Sequence, residues 1–413
     1  MEKNNVPEKK DHGFLGKKLG YFIQSPEVGA GLPLLTPKGA KLKQILKRFV
    51  EDEEEKRGYQ AVETPVMAKS DLYRISGHWE LYRDGMFSFK DDEEELALRP
   101  MSCPFQFMLY KSEKHSYRDL PVRYSETASL FRKEASGAMH GLARMRQFTL
   151  SDGHIICRPD QVEAVFFEAL DLINYIAGAI GLENVWYRLS LHDPENLSKY
   201  IDNPQAWKES EERLRILLEK SGLKYVEKKG EAAFYGPKVD FQMKNVFGKE
   251  DTVITLQLDF ALAERFGLSY IDENGEEKTP LIIHRSSIGC YERTIAFLLE
   301  QYQGRLPFWF SPEQVIIIPV SEKYENYANE VLNRLKPASI RVSVDKRSFS
   351  VSKRISEAQK MLVPLMVVIG DKEIGNSTLS VRKLDGESRV FAIEEFVEFA
   401  QKLVSEKKQE IKF

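Results

Sequence analysis

The chain has 413 residues, 42% of them hydrophobic and 30% charged, with 60 Lys plus Arg against 63 Asp plus Glu. That is a globular composition of two or three domains, which excludes disordered, collagenous and coiled-coil classes. A net charge of −3 excludes a large basic field, no apolar run reaches the roughly 18 residues a bilayer span needs, and three cysteines are too few for a disulfide framework.

In chain order, residues 1–20 are polar and read as a flexible lead-in. Thr36 caps a helix opened by Pro37, whose Leu42, Ile45, Leu46, Phe49 and Val50 form one apolar stripe. The acidic run Glu51 to Glu55 at its end reads as a solvated face. Tyr59 to Thr64 reads as a strand stopped by Pro65. Val122 to Ser125 and Gln147 to Ile156 follow as strands around a Gly/Ser loop. After Pro159 a helix repeats Val162, Val165, Phe166, Ala169, Leu170 and Ile173, and residues 207–222 give a charged amphipathic helix. Strands follow at 234–243, 252–260 and 281–285, then a helix from Gly289. Strands without regular βα alternation predict an α+β domain on an antiparallel sheet.

The texture changes near 308–313. Beyond it, Val315 to Ile318, a helix to Leu335, a strand at 340–344, a helix at 351–361 and a strand at 365–369 spell βαβαβ, a small α/β domain. Residues 313–413 carry 17 basic and 15 acidic side chains, a weak positive bias.

Chemistry can be read only locally. There is no GxxxxGK[ST] loop and no GxGxxG after a strand, so any nucleotide would be held by arginines. Arg132, Arg144 and Arg146 surround one loop, which is either a phosphate clamp or an ordinary solvated hairpin. Cys103, His154 and His284 could supply three zinc ligands and leave a fourth position open. Their separations of 51 and 130 residues match no local zinc motif, so spacing alone favours core residues.

Taken in order, the fragments resemble the threonyl-tRNA synthetases among the class II aminoacyl-tRNA synthetases. The fragments are Gly77-His78-Trp79, Arg99 to Pro104, Phe131 to Glu134 and Asp152-Gly153-His154. They continue with Ala233 to Lys238, Gln257 to Phe260, Ile283 to Arg285 and Gly289 to Arg293. The resemblance runs from about Gly16 to Lys408. It implies a class II antiparallel-sheet catalytic domain over 21–310 and an α/β anticodon-binding domain over 313–413. The helix from Pro37 and the strand before Pro65 resemble the motif that builds a homodimer.

The implied reaction is threonine–tRNA ligation: L-threonine and ATP give threonyl-adenylate, which acylates tRNA(Thr). In that scheme Arg132 contacts the α-phosphate, Glu134 receives the adenine amino group and Phe148 stacks on the ring. Arg293 lies under adenine, Arg144 holds the phosphate tail and Mg²⁺ accompanies ATP. Cys103, His154 and His284 hold one Zn²⁺ per subunit, which takes threonine's amino group and hydroxyl. Valine, lacking the hydroxyl, is rejected strongly; serine differs by only a methyl group, on the order of 1 kcal/mol. Asp152 and Tyr235 hold the amino group, Lys238 lies near the adenylate, and His78 with Gln257 assists proton removal during transfer. Glu373 and Arg382 read anticodon bases, and Arg341, Lys346, Arg347, Lys353 and Arg354 form a phosphate-contacting patch.

The chain departs from the family pattern at Phe105-Gln106, Leu150, Ser151 and Cys290, the last next to the pocket, where a thiol could contact zinc or be oxidised. Only about 20 to 35 residues precede the core, so the expectation is an enzyme without a cis editing domain. The expected location is the cytoplasm, with no membrane partner. The competing reading is a non-catalytic, tRNA-binding or regulatory relative on the same scaffold; a third keeps the chemistry and changes the amino acid to serine or proline.

Overall fold

The structure, a computed structural model, describes residues 9–413. They divide into two compact units. One comprises Gln24–Pro33 and Lys47–Phe297; the other comprises the described residues up to Ile23, Leu34–Leu46 and Leu298–Phe413.

The first unit is built on an eight-stranded sheet. Its strands are β1 (Gln60–Ala61), β2 (Val122–Phe131), β3 (Gln147–Cys157), β4 (Trp186–Leu191), β5 (Tyr225–Lys229), β6 (Lys238–Lys244), β7 (Glu250–Asp259) and β8 (Leu281–Cys290). The order across the sheet is β5-β4-β6-β7-β8-β3-β2-β1. The six central strands pair antiparallel, and only the outer pairs β5/β4 and β1/β2 are parallel. This is the expected antiparallel α+β sheet. The helix Val162–Ile180 packs on β8, burying Val165, Phe166, Ala169 and Ile173 as their helical spacing predicts. It stops at Gly181, which takes the left-handed conformation at φ 68°.

Alternation along β3 and β8 assigns two faces. His154 and Asp152 share one face, and Gly153 between them points to the other, where it opposes Arg285 in register. A Cβ at residue 153 would stand 2.5 Å from the Arg285 guanidinium carbon, so glycine makes room for that arginine. Arg285 is 1% exposed and donates from Nη1 to Glu54 Oε1 at 2.5 Å, while Ser287 Oγ lies 2.7 Å from the same oxygen. The acidic run is therefore only partly a solvated face: Asp52 and Glu55 are exposed and Glu51 is half-buried. Glu53 and Glu54 are buried: Glu54 faces a sheet that carries its own cation, and Glu53 pairs with Lys56 and Arg57 at the end of the helix. The strand expected over 59–64 shrinks to β1, whose only ladder is a parallel one with β2. The helix expected from Gly289 begins at Tyr291. Strand β8 runs on to Cys290 through a register shift that Gly289 accommodates at φ 75°.

The second unit holds a five-stranded sheet of β9 (Val315–Pro319), β10 (Val342–Val344), β11 (Leu365–Ile369), β12 (Thr378–Lys383) and β13 (Ser388–Ala392). Its order is β10-β9-β11-β12-β13; the first three are parallel and the last two add antiparallel. The expected βαβαβ run is present, with helices Glu325–Leu335 and Val351–Lys360 as crossovers, and the sheet is mixed. Its core is almost wholly apolar: Val315, Ile317, Leu365, Val367, Leu379 and Phe396 are each at 0% exposure. Residues 1–8 of the expected lead-in lie outside the described residues, and the rest of it departs from expectation. His12–Lys18 is helical, capped by Asp11 Oδ1 on Phe14 N at 2.7 Å, and His12 is buried with Nδ1 2.7 Å from Glu300 Oε1. Among the described residues no helix is long and apolar enough to cross a membrane.

Candidate functional site

A cavity of about 280 Å³ opens on the face of the eight-stranded sheet that carries Asp152 and His154. Of the catalytic-domain residues that the resemblance assigns, Lys238 alone lies outside its lining. Lys238 instead places Nζ 2.9 Å from both carboxylate oxygens of Asp240.

The sheet register makes the centre of the site. His154 on β3 stands opposite His284 on β8, and Gln257 on β7 opposes His284 from the other side. Directly opposed residues of an antiparallel pair bring their Cβ atoms to about 5 Å. Cys103 reaches the same point from the first turn of the helix Cys103–Lys111. One donor atom from each of Cys103, His154 and His284 lies within 4.8 Å of the others, and all three residues are buried. Residues far apart in sequence therefore converge on a donor group that spacing could not show.

Burial, then the nearby Asp152 and Asp259 carboxylates, push the Cys103 thiol well above its ordinary value. Burial, then His284, hold His154 well below the usual imidazole range. Tyr235 stacks on His284 with ring centres 4.7 Å apart and donates its hydroxyl to Gln257 Oε1 at 2.7 Å. Asp152 Oδ2 accepts from Ser102 Oγ at 2.5 Å. His78 Nδ1 lies 2.7 Å from Ser76 Oγ, whose own proton goes to the Tyr73 carbonyl at 3.1 Å. Nδ1 is therefore the protonated nitrogen, and Nε2 keeps its lone pair. Burial, then the neighbouring His284 and Arg132, press the His78 pKa down to about 3, so it stays a neutral acceptor.

At the other end of the cavity, Arg132 follows the end of β2, its guanidinium carbon 5.1 Å from the centre of the Phe148 ring. Arg293 is anchored by Nε to the Ala143 carbonyl at 3.0 Å and by Nη1 to the Thr252 carbonyl at 2.9 Å. Arg144 donates Nε to Glu134 Oε2 at 3.0 Å, so the two side chains expected on opposite ends of a nucleotide pair with each other here. Arg146 joins the lining of neither this cavity nor a second one that shares Arg132, Arg144 and Arg293.

Cys290 lines the cavity, as its expected place beside the pocket requires, but its thiol is outside the donor group among the described residues. It donates to Glu292 Oε2 at 3.5 Å, and burial with Glu292 pushes its pKa up to about 12. Leu150 lines the cavity, and Ser151 Oγ accepts from Ile288 N at 2.9 Å.

In the other unit, Glu373 Oε2 accepts from Gly370 N at 2.8 Å at the start of a short helix, and Arg382 lies on β12. The five-residue basic patch is corrected. Arg354 is buried and donates to the Asp345 and Pro319 carbonyls, and Arg341 donates to the Ser311 and Trp309 carbonyls. Arg347 is paired with Asp345 and Glu357. Lys346 and Lys353 are the exposed members without a close carboxylate hydrogen bond.

Sequence reasoning missed the polar residues behind the donor group. Gln106 Oε1 lies 2.7 Å from His154 Nδ1, and Asp259 Oδ2 lies 2.8 Å from His284 Nε2. Glu126 is buried and takes Arg99 Nη1 at 2.9 Å and Thr64 Oγ1 at 2.9 Å. The signals were the departure from the family pattern at Phe105-Gln106 and the polar character of Gln106 on the mostly apolar helix CPFQFMLYK.

Residues 87–302 match the family profile of the tRNA synthetase class II core domain (G, H, P, S and T), and residues 314–403 match that of the anticodon binding domain. The chain is 52% identical over 402 residues to a threonine–tRNA ligase of Clostridium perfringens, and 46% identical over 393 residues to one of Halalkalibacterium halodurans. Those alignments cover 96% and 94% of the chain; it spans about 62% and 61% of the length of these curated relatives. Among solved structures, the RNA binding domain of threonyl-tRNA synthetase from Cryptosporidium parvum superposes with a TM-score of 0.90 at 34% identity, covering 95% of this chain and 98% of that one.

Proposed function

The chain belongs to the threonyl-tRNA synthetases of class II, and from that membership we propose that it is a threonine–tRNA ligase acting on L-threonine, ATP and tRNA(Thr). The observation that carries the reading is the convergence, in one cavity, of the Cys103, His154 and His284 donors with Arg132 and Arg293. We assign 21–310 to the catalytic domain and 313–413 to the anticodon-binding domain.

In the first step a threonine carboxylate oxygen attacks the α-phosphorus of ATP and pyrophosphate leaves in line. Arg132 neutralises charge growing on the α-phosphate, and Arg293 holds the nucleotide from the Thr252 side. Phe148 offers its ring to adenine; Glu134 takes the amino group once Arg144 swings to the phosphate tail. Asp152 and Tyr235 orient the substrate amino group, and Lys238 approaches the adenylate. In the second step the terminal ribose hydroxyl of the tRNA attacks the adenylate carbonyl and AMP departs. His78, neutral with a free Nε2, accepts the proton, with Gln257 beside it.

The donor set fits zinc: one thiol and two imidazoles, buried, with two carboxylates adding negative charge that a cation offsets. A zinc ion held there would supply Lewis-acid recognition of the threonine amino and hydroxyl groups. Mg²⁺ would screen the ATP phosphates. Glu373 and Arg382, with Lys346 and Lys353, would meet the anticodon arm. The helix Pro37–Lys56 and β1 support a homodimer by the motif they resemble. Three free, buried thiols accord with a reducing cytoplasm.

The test is ATP–pyrophosphate exchange with single amino acids. Exchange that requires threonine, persists weakly with serine and is absent with valine supports the reading. Exchange driven by proline overturns it in favour of another amino acid, and exchange with no amino acid overturns it in favour of the non-catalytic alternative.

A further inference from the structure

We propose that Gln106 is a positioning residue that fixes the tautomer of His154 and thereby points its Nε2 lone pair at the cation; this rests on the metal reading above. The argument is a chain of forced hydrogen-bond directions. Gln106 is fully buried on the helix Cys103–Lys111. Its amide nitrogen Nε2 has two neighbours, Ser102 Oγ at 3.3 Å and Glu126 Oε2 at 3.4 Å.

Neither neighbour can donate to it. Glu126 is the buried partner of the Arg99 guanidinium, so it is an acceptor-only carboxylate. Ser102 has one proton, which goes to Asp152 Oδ2. The amide therefore cannot flip: its NH₂ must face these two groups and its Oε1 must face His154 Nδ1 at 2.7 Å. An amide oxygen only accepts, so Nδ1 carries the proton and Nε2 is left with its lone pair.

His284 is set independently and with the opposite sense. Asp259 Oδ1 already accepts from the Ala261 and Leu262 amides at 2.8 and 2.9 Å, and Oδ2 lies 2.8 Å from His284 Nε2. Nε2 therefore carries the proton and Nδ1 is free. The two rings thus present unlike nitrogens to one point, which is how directly opposed residues on adjacent strands can both reach it. Groups that hold the outer nitrogen of a ligating imidazole typically change metal affinity 10- to 100-fold when removed.

The experiment uses the full chain carrying ¹⁵N-histidine, with zinc affinity measured by competition against a chromophoric chelator. His154 is assigned by the loss of its signals in His154→Asn. Wild-type His154 should be the Nδ1–H tautomer even without metal. Gln106→Met should mix the tautomers and weaken zinc about 10- to 100-fold. Gln106→Met with an unchanged tautomer overturns the proposal, whether zinc affinity falls or not. Should that variant not fold, Gln106→Glu combined with Glu126→Gln exchanges acceptor and donor across the same gap. It must then keep the Nδ1–H tautomer, and its loss overturns the proposal. A wild-type protein that binds no zinc would remove the metal reading, while the nitrogen spectra still decide the role of Gln106.

Discussion

Arg285 and Arg354 are both buried arginines in sheet-based units, and they teach different things. Arg285 sits behind the eight-stranded sheet against a carboxylate, Glu54, close to strands that carry the donor group. Arg354 sits in a unit whose core is apolar, and it donates to two backbone carbonyls. The first unit admits charge and polarity throughout its interior, as in the network of Arg99, Glu126, Gln106 and Asp152, since a site must be held there. The second uses polar groups to tie loops to a hydrocarbon core. Burial of a cation is thus evidence of neither role; its partner decides.

The largest expected effect breaks the Arg285 pair. Arg285→Met leaves Glu54 buried without its cation and should cost about 3–5 kcal/mol in denaturant unfolding. Adding Glu54→Leu should return most of that loss; no recovery in the double variant would mean the pair is not the cause. Next, Arg132→Ala should slow threonine-dependent exchange about 10²- to 10³-fold while the melting temperature holds, since its guanidinium is spent on charge in the transition state. An equal fall in stability would place Arg132 with the structural arginines.

Arg354→Met should cost about 1–3 kcal/mol, the penalty for orphaning two buried carbonyls, with little change in exchange. A loss of tRNA affinity without loss of stability would restore it to a phosphate patch. Smallest is Asp345→Asn. Hydrogen bonds from Arg347 hold the Asp345 carboxyl below its ordinary value. A depressed carboxylate stabilises above the unfolded pKa of about 3.9, and that stabilisation fades as pH falls through the folded value. Asp345→Asn should therefore lower the melting temperature of the chain at pH 7, and the gap from wild type should narrow as pH falls below about 3.9; a difference undiminished by acid contradicts this account.

Much of the architecture was legible because it is periodic. The stripe of Val162 to Ile173 and the β-branched run at Val315 gave their elements from spacing alone. Glu54 was misread because a helix's acidic end looks the same whether water or an arginine from a distant strand covers it. The arginine patch failed for the same reason: Arg354 and Lys353 are neighbours in sequence with opposite exposure. The donor group was legible only through family resemblance, since register rather than spacing sets His154 against His284. Gln106 was not legible at all as a partner of His154, 48 residues away, because which of its amide atoms faces that ring depends on two carboxylates the sequence does not place.

The most direct test of the central claim is an anomalous difference map collected at the zinc edge from crystals of the protein purified with its metal. The account predicts one peak in each chain, about 2.3 Å from Cys103 Sγ and about 2.0–2.1 Å from His154 Nε2 and His284 Nδ1. A peak elsewhere, or bound zinc with no peak among these three side chains, contradicts it.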